Sequence, residues 1–243
     1  MSMPLDLVVA DLAPTGVLRA SINLGNPVLA SGTPEAPTGV TVDIAREVAA
    51  RLGVPVRFVC FDAARESFEA MCVGRADICF LAIEPARMSD VAFTAPYAVI
   101  EGVFVVPDES DITTPAEVDS VDVRVGVKEG SAYDLFLSRT LQRAQVVRGA
   151  EGFDVFRQLG LEVGAGIRQP VVDAVARHSG LRVIEDRFME IRQAVGMART
   201  RADESLRFLS ATIEELKAIG FVHDALRRSG RNDATVAPLA SQS

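Results

Sequence analysis

Residues 68–97 read FEAMCVGRADICFLAIEPARMSDVAFTAPY, and the reading of this stretch decides the fold. Arg65 to Val73 is patterned as a short helix ended by Gly74, because glycine enters the left-handed conformation that closes a helix without steric cost. Asp77 to Ile83 is nearly all apolar, as a strand buried on both faces must be. A Pro-x-Arg turn at residues 85–87 follows, and then a Phe-x-x-Pro-Tyr segment ending at Tyr97.

The same alternation continues on either side, as an α/β fold requires. Upstream, Val17 to Ile22 reads as a strand, and Asn23 to Gly39 as a Gly/Pro/Asn-rich loop. Asp43 to Leu52 reads as a helix with Ile44, Val48 and Leu52 on one face. Val54 to Phe61 is the next strand. Downstream, strands are expected at Gly102–Val106, Val123–Val127, Gly164–Ile167, Leu181–Ile184 and Ala194–Ala198. Helices are expected from Ser131 to about Gln142, over Phe153–Leu159, from Pro170 to about Ser179, over Asp203–Ile219 and over Phe221–Arg228. Ser131 followed by Asp134 is a capping pattern. The segment 231–243 is small and polar and reads as a disordered tail. No internal repeat is visible.

The chain of 243 residues is long enough for one large domain or two small ones. Its net charge of −8 offers no basic excess to neutralise phosphates, which argues against a nucleic-acid binder. No apolar run is long enough to span a bilayer. The N-terminus lacks a basic region, and Asp6 and Asp11 interrupt its apolar stretch, so it does not read as a secretory signal. Cys60, Cys72 and Cys79 lie in apolar stretches and read as buried reduced thiols. Their spacing matches no zinc pattern, so neither metal nor cofactor is expected.

Three segments, in order, resemble the type II periplasmic (extracellular) solute-binding proteins of amino-acid uptake family 3. They are TGVTVDIAREVAARLGVPVRFV (Thr38–Val59), the Phe68–Tyr97 stretch above, and VRVGVKEGSAYDLFL (Val123–Leu137). The resemblance implies two Rossmann-like α/β lobes joined by a two-strand hinge, with a ligand held between them as in a Venus flytrap. Lobe 1 is then residues 17–104 plus 196–230, and lobe 2 is residues 105–195. It also implies an ABC permease as partner, a monomer, and a periplasmic location. If Met1 is the native start, the absence of a leader would instead make the protein cytoplasmic.

Arg87 matches the family's carboxylate-clamping arginine, and a guanidinium fork suits that role. A surface arginine paired with Asp90 is the plainer alternative. Ser131 and Ala132 start a helix whose free amides favour an anion, and Tyr133 either closes over the ligand or packs on the helix. The departures concern the rest of the site. The family's ammonium-binding acid is replaced by Arg168, followed by Gln169. Its threonine before the Pro-x-Arg turn is Glu84. The first loop carries Asn23 and Asn26 where the family often has an acid and aromatics. Arg87 with Arg168 points to an organic, keto or di-acid more than to a plain amino acid, although Glu84 and Glu101 could receive an ammonium. His178 and His223 lie away from these loops, and no catalytic motif is present, so no catalytic residue is expected. The alternatives are a cyclic-acid dehydratase-like enzyme, in which Glu84 or Glu101 serves as acid or base, and a ligand-sensing subunit.

Overall fold

A computed structural model describes residues 4–230 and 234–240. In chain order, the strands are β1 (Leu18–Asn23), β2 (Ser31–Thr33), β3 (Ala36–Thr38), β4 (Val56–Phe61), β5 (Ile78–Ala82), β6 (Val91–Phe93), β7 (Ala98–Pro107), β8 (Arg124–Lys128), β9 (Gln145–Gly149), β10 (Val163–Ile167), β11 (Leu181–Val183), β12 (Met189–Ala198) and β13 (Thr235–Val236). The helices are α1 (Leu5–Leu12), α2 (Val40–Leu52), α3 (Ala64–Cys72), α4 (Ala132–Thr140), α5 (Gly152–Leu159), α6 (Arg168–Val175), α7 (Asp203–Ala218) and α8 (Phe221–Arg228), with short 3-10 turns at Pro85–Arg87 and Pro115–Val118. The chain divides into two units, residues 1–99 with 192–243 and residues 100–191. It leaves the first unit along β7 and returns along β12.

In the first unit, β4, β1 and β5 run parallel, and β12 lies antiparallel beside β5. Apolar side chains fill both faces of β5, and Cys79 and Leu81 pack with Met71, Ala76 and Val91. Each such aliphatic side chain contributes about 1.5–3 kcal/mol when fully buried. Gly39 starts α2 at φ 113°, and a Cβ there would stand 2.5 Å from the Leu29 carbonyl oxygen. No other residue fits that approach.

In the second unit, β9, β8 and β10 are parallel, and β7 is antiparallel to β10. Val103, Val105, Phe156, Leu161 and Val171 form its core. Both units start their sheets in the same way. Asp77, just before β5, accepts the backbone N–H, Nε and Nη2 of Arg19 in β1, and Arg19 Nη1 reaches the Gly74 carbonyl. Glu162, just before β10, accepts the backbone N–H, Nε and Nη2 of Arg124 in β8, and Arg124 also reaches the Gly160 carbonyl. The hydrogen bond from Arg124 holds the Glu162 carboxyl down to about 2 against desolvation. No internal repeat was legible in the sequence because the two copies share this geometry without sharing residue types.

Several expectations are corrected. β7 begins at Ala98 and β12 at Met189, earlier than read, because exposed residues alternate with buried ones at the start of β12. α6 begins at Arg168, since Pro170 in the first turn gives up an amide that has no intrahelical acceptor. The tail is not wholly free. Thr235 and Val236 pair with Val99 and Ala98, the Ala237 amide donates to Tyr97, and Lys217 Nζ donates to the carbonyls of Pro96 and Pro238. The rest of that expectation, residues 231–233 and 241–243, lies outside the described residues. Cys79 is buried, but Cys60 is half-buried and Cys72 exposed. The α1 helix, the β2–β3 hairpin, β6 and β9 went unread.

Asp77 has no solvent exposure and also accepts Arg201 Nη2 at 2.7 Å. Asp77→Ala leaves two guanidinium groups without their counter-charge, and breaking such a buried pair costs about 3–5 kcal/mol. Urea unfolding measures that loss; a change near zero would show that the register of β1 on β5 does not depend on this carboxylate.

Candidate functional site

Parallel strands bring their carboxyl ends to one edge, which is where open α/β sheets bind ligands. In the first unit that edge holds the ends of β1, β4 and β5. Asn23 closes β1, and its Oδ1 accepts the Gly25 amide at 3.1 Å, a local turn contact. Asn26 accepts the Leu29 and Ala30 amides through its backbone carbonyl. Its side chain is buried, and Oδ1 has no hydrogen-bond partner among the described residues. After β5, Glu84 is buried and precedes the 3-10 turn that carries Arg87. Arg87 is 3% exposed and donates from Nη1 to the Ala82 carbonyl at 3.2 Å. Burial lowers the guanidinium's pKa, and the Glu84 charge opposes that shift.

The second unit gathers the ends of β8, β9 and β10 in the same way. Ser131 caps α4, with Oγ accepting the Asp134 amide at 3.0 Å. The buried Asp134 carboxylate takes the Gly130 amide and Arg148 Nε. The amides of Ala132 and Tyr133 have no carbonyl behind them in the helix. Tyr133 is buried, and desolvation raises its hydroxyl pKa with help from Glu151.

Arg168 opens α6 directly after β10 and is heavily engaged. Nε donates to Glu101 Oε2 at 2.6 Å, and Nη2 to the Glu185 carbonyl at 2.8 Å. The other Glu101 oxygen accepts Arg187 Nη1 at 2.9 Å, and Arg187 Nη2 pairs with Glu190. Burial would raise the Glu101 carboxyl, but the two arginines outweigh it and hold it below its ordinary value. These groups border a cavity of about 670 Å³ in this unit, with Thr114, Glu185 and Asp186 on its wall. Gln169 is spent on Asp173 at 2.7 Å.

The structure therefore brings Asn23, Asn26, Glu84 and Arg87 to one edge, and Glu101, Ser131, Ala132, Tyr133, Arg168 and Gln169 to the other unit's edge. The sequence did not reveal the pairing of Arg168 with Glu101, or Arg187 as its third member. The one available signal was the alternation of charged and apolar residues in Asp186–Arg192, which marks an extended segment presenting Arg187 and Glu190. His178 bonds the Ala174 carbonyl and touches Phe153, while His223 is exposed beside Asp224. Among the described residues, no cluster of three or more His, Cys, Asp or Glu could hold a metal. None of the described helices is long and apolar enough to cross a membrane.

Residues 23–228 match the family model described as bacterial extracellular solute-binding proteins, family 3. Among solved structures, a mutant of ArgBP from T. maritima is similar, with a TM-score of 0.74 and 21% identity over 92% of this chain and 99% of that one. An amino acid ABC transporter substrate-binding protein from Streptococcus pneumoniae, bound to L-arginine, gives 0.74 and 16% identity over 95% and 99%. An ancestral amino acid-binding protein, a precursor of cyclohexadienyl dehydratase, gives 0.72 and 19% identity over 90% and 98%. No curated protein matches in sequence. At these identities the solved structures establish the fold.

Glu101 supplies a pH test. Its folded-state pKa lies below the ordinary 4.5, so its stabilising contribution is complete above 4.5 and is lost as pH falls through the lowered value. The stability gap between wild type and Glu101→Gln, measured by urea unfolding, should be open at neutral pH and close in acid. A gap that stayed constant with pH would mean that the arginines do not depend on this charge.

Proposed function

The chain belongs to the bacterial extracellular solute-binding proteins, family 3, and on that premise we propose that it captures a small carboxylate-bearing organic solute and performs no chemistry on it. The observation that carries this reading is Arg87, a deeply buried guanidinium at the carboxyl edge of the first unit's parallel strands. A buried cation at such an edge favours an anionic ligand, and its planar fork matches a carboxylate. In the second unit, the N-terminal amides of α4 at Ala132 and Tyr133 supply neutral donors suited to the same kind of group. The expected partner is a membrane permease of the ABC type, reached from outside the cytoplasm.

The ligand is an organic acid in preference to an ordinary amino acid. An α-ammonium needs a carboxylate at hand. Arg168 stands where the family's amino-acid binders place theirs, and both oxygens of the nearby Glu101 are held by guanidinium groups. The L-arginine bound by the pneumococcal relative therefore does not transfer to this chain. The likeness to a dehydratase precursor is one of fold. Neither histidine stands at a carboxyl edge, and the paired state of Glu101 leaves it unsuited to move a proton.

A thermal-shift panel of amino acids, dicarboxylates, keto acids and aromatic acids tests this reading, since a ligand raises the melting temperature with the logarithm of its concentration above Kd. An organic acid should give the largest shift. Arg87→Ala should cost about 2–5 kcal/mol of binding, because the ligand's carboxylate would be left unpaired. If a standard amino acid dominates the panel and Arg87→Ala binds it as wild type does, the assignment is wrong.

A further inference from the structure

Asn26 differs from the other polar groups at the first unit's edge. Asn23, three residues before it, spends its carbonyl on a local amide. Asn26 is 7% exposed, and its Oδ1 is enclosed with no partner. The backbone of Asn26 is fully used in the turn, donating to Asn23 and accepting from Leu29 and Ala30, so the side chain has no capping duty there. Turning the amide over would bury the NH2 instead and leave a different polar atom unmatched. A buried polar atom without a partner is destabilising, and it is retained here on the loop that leaves β1, next in the sheet to the strand leading to Glu84 and Arg87.

The charged acceptors nearest in role are already committed. Glu101 has one arginine on each oxygen, and the Glu84 charge acts on the Arg87 guanidinium. A neutral amide carbonyl suits a neutral donor. An ammonium buried against it would lack the opposing charge that burial demands. Resting on the carboxylate-binding reading above, we propose that Asn26 Oδ1 receives a hydroxyl of the ligand, which makes the ligand class hydroxycarboxylic acids.

Malate, succinate and aspartate form a matched set of probes: one four-carbon diacid skeleton bearing a hydroxyl, a hydrogen or an ammonium. Calorimetry on the full chain should show malate binding roughly tenfold tighter than succinate, the discrimination expected when a buried acceptor is satisfied or left empty. Asn26→Leu should bring malate down to the succinate level and leave succinate unchanged. Asn26→Asp, which keeps an acceptor, should preserve the preference. An equal loss for malate and succinate in Asn26→Leu would make the residue merely structural and overturn the proposal. So would tightest binding of aspartate that disappears in Glu101→Gln. If none of the three binds, the functional reading fails first, and the ligand-free proteins still judge the amide. Asn26→Leu should melt above wild type if Oδ1 is unmatched, and a lower melting temperature would mean that the amide is satisfied internally and the inference falls.

Discussion

The architecture depends on a carboxylate placed one residue ahead of a strand. Asp77 holds the backbone and side chain of Arg19 and thereby locks β5 to β1 in one register. Arg201, just after β12, joins the same carboxylate, and Asp11 of α1 takes the Ala202 amide and the Ser205 hydroxyl. One buried charge therefore ties together the N-terminal helix, two parallel strands and the returning segment. Register matters because side chains alternate with a period of two, and a slip of one residue would turn every core side chain outward. Fixing the amino ends of β1 and β5 also fixes how far their carboxyl ends reach, and so where Asn23, Asn26 and Glu84 stand.

The second unit solves the same problem with Glu162 and Arg124. Glutamate replaces aspartate, and the glycine whose carbonyl completes the arginine's contacts sits at a different offset. Equal chemistry with unequal spelling is why the two units look unrelated in sequence. It also separates two tasks: each sheet is anchored at its amino edge by arginine and carboxylate, which leaves the carboxyl edge free to vary. There the units diverge, with a buried Arg87 in one and the Arg168–Glu101–Arg187 chain in the other.

Much of this was legible in the residues. The doubly apolar run of β5, the glycine stops and the Ser131 cap each leave a local signature, because propensity and burial act over a few neighbouring positions. Arg87 and Arg168 could be singled out by motif, but their surroundings could not. Glu101 and Arg168 are 67 positions apart and meet only because β7 lies antiparallel to β10. The strand β9 is partly exposed at the sheet edge, and β13 is two residues long, so neither carries a hydrophobic period to read. The unmatched amide of Asn26 is visible only once the atoms around it are placed.

The path of the chain also bears on how the molecule is made. The second unit, residues 100–191, is one continuous stretch, whereas the first needs residues from both sides of it. During synthesis the ribosome delivers everything required for the second unit before β12, α7 and α8 exist. The first unit's sheet waits for β12, and its final hydrogen bonds, from Thr235 to Ala237, wait for the last few residues. Domains generally fold as units while the chain emerges, so the inserted half can reach its native packing while the enclosing half still has unpaired strand edges. A nascent chain stalled before β12 would expose one edge of β5, and that interval is when a chaperone would have most to do.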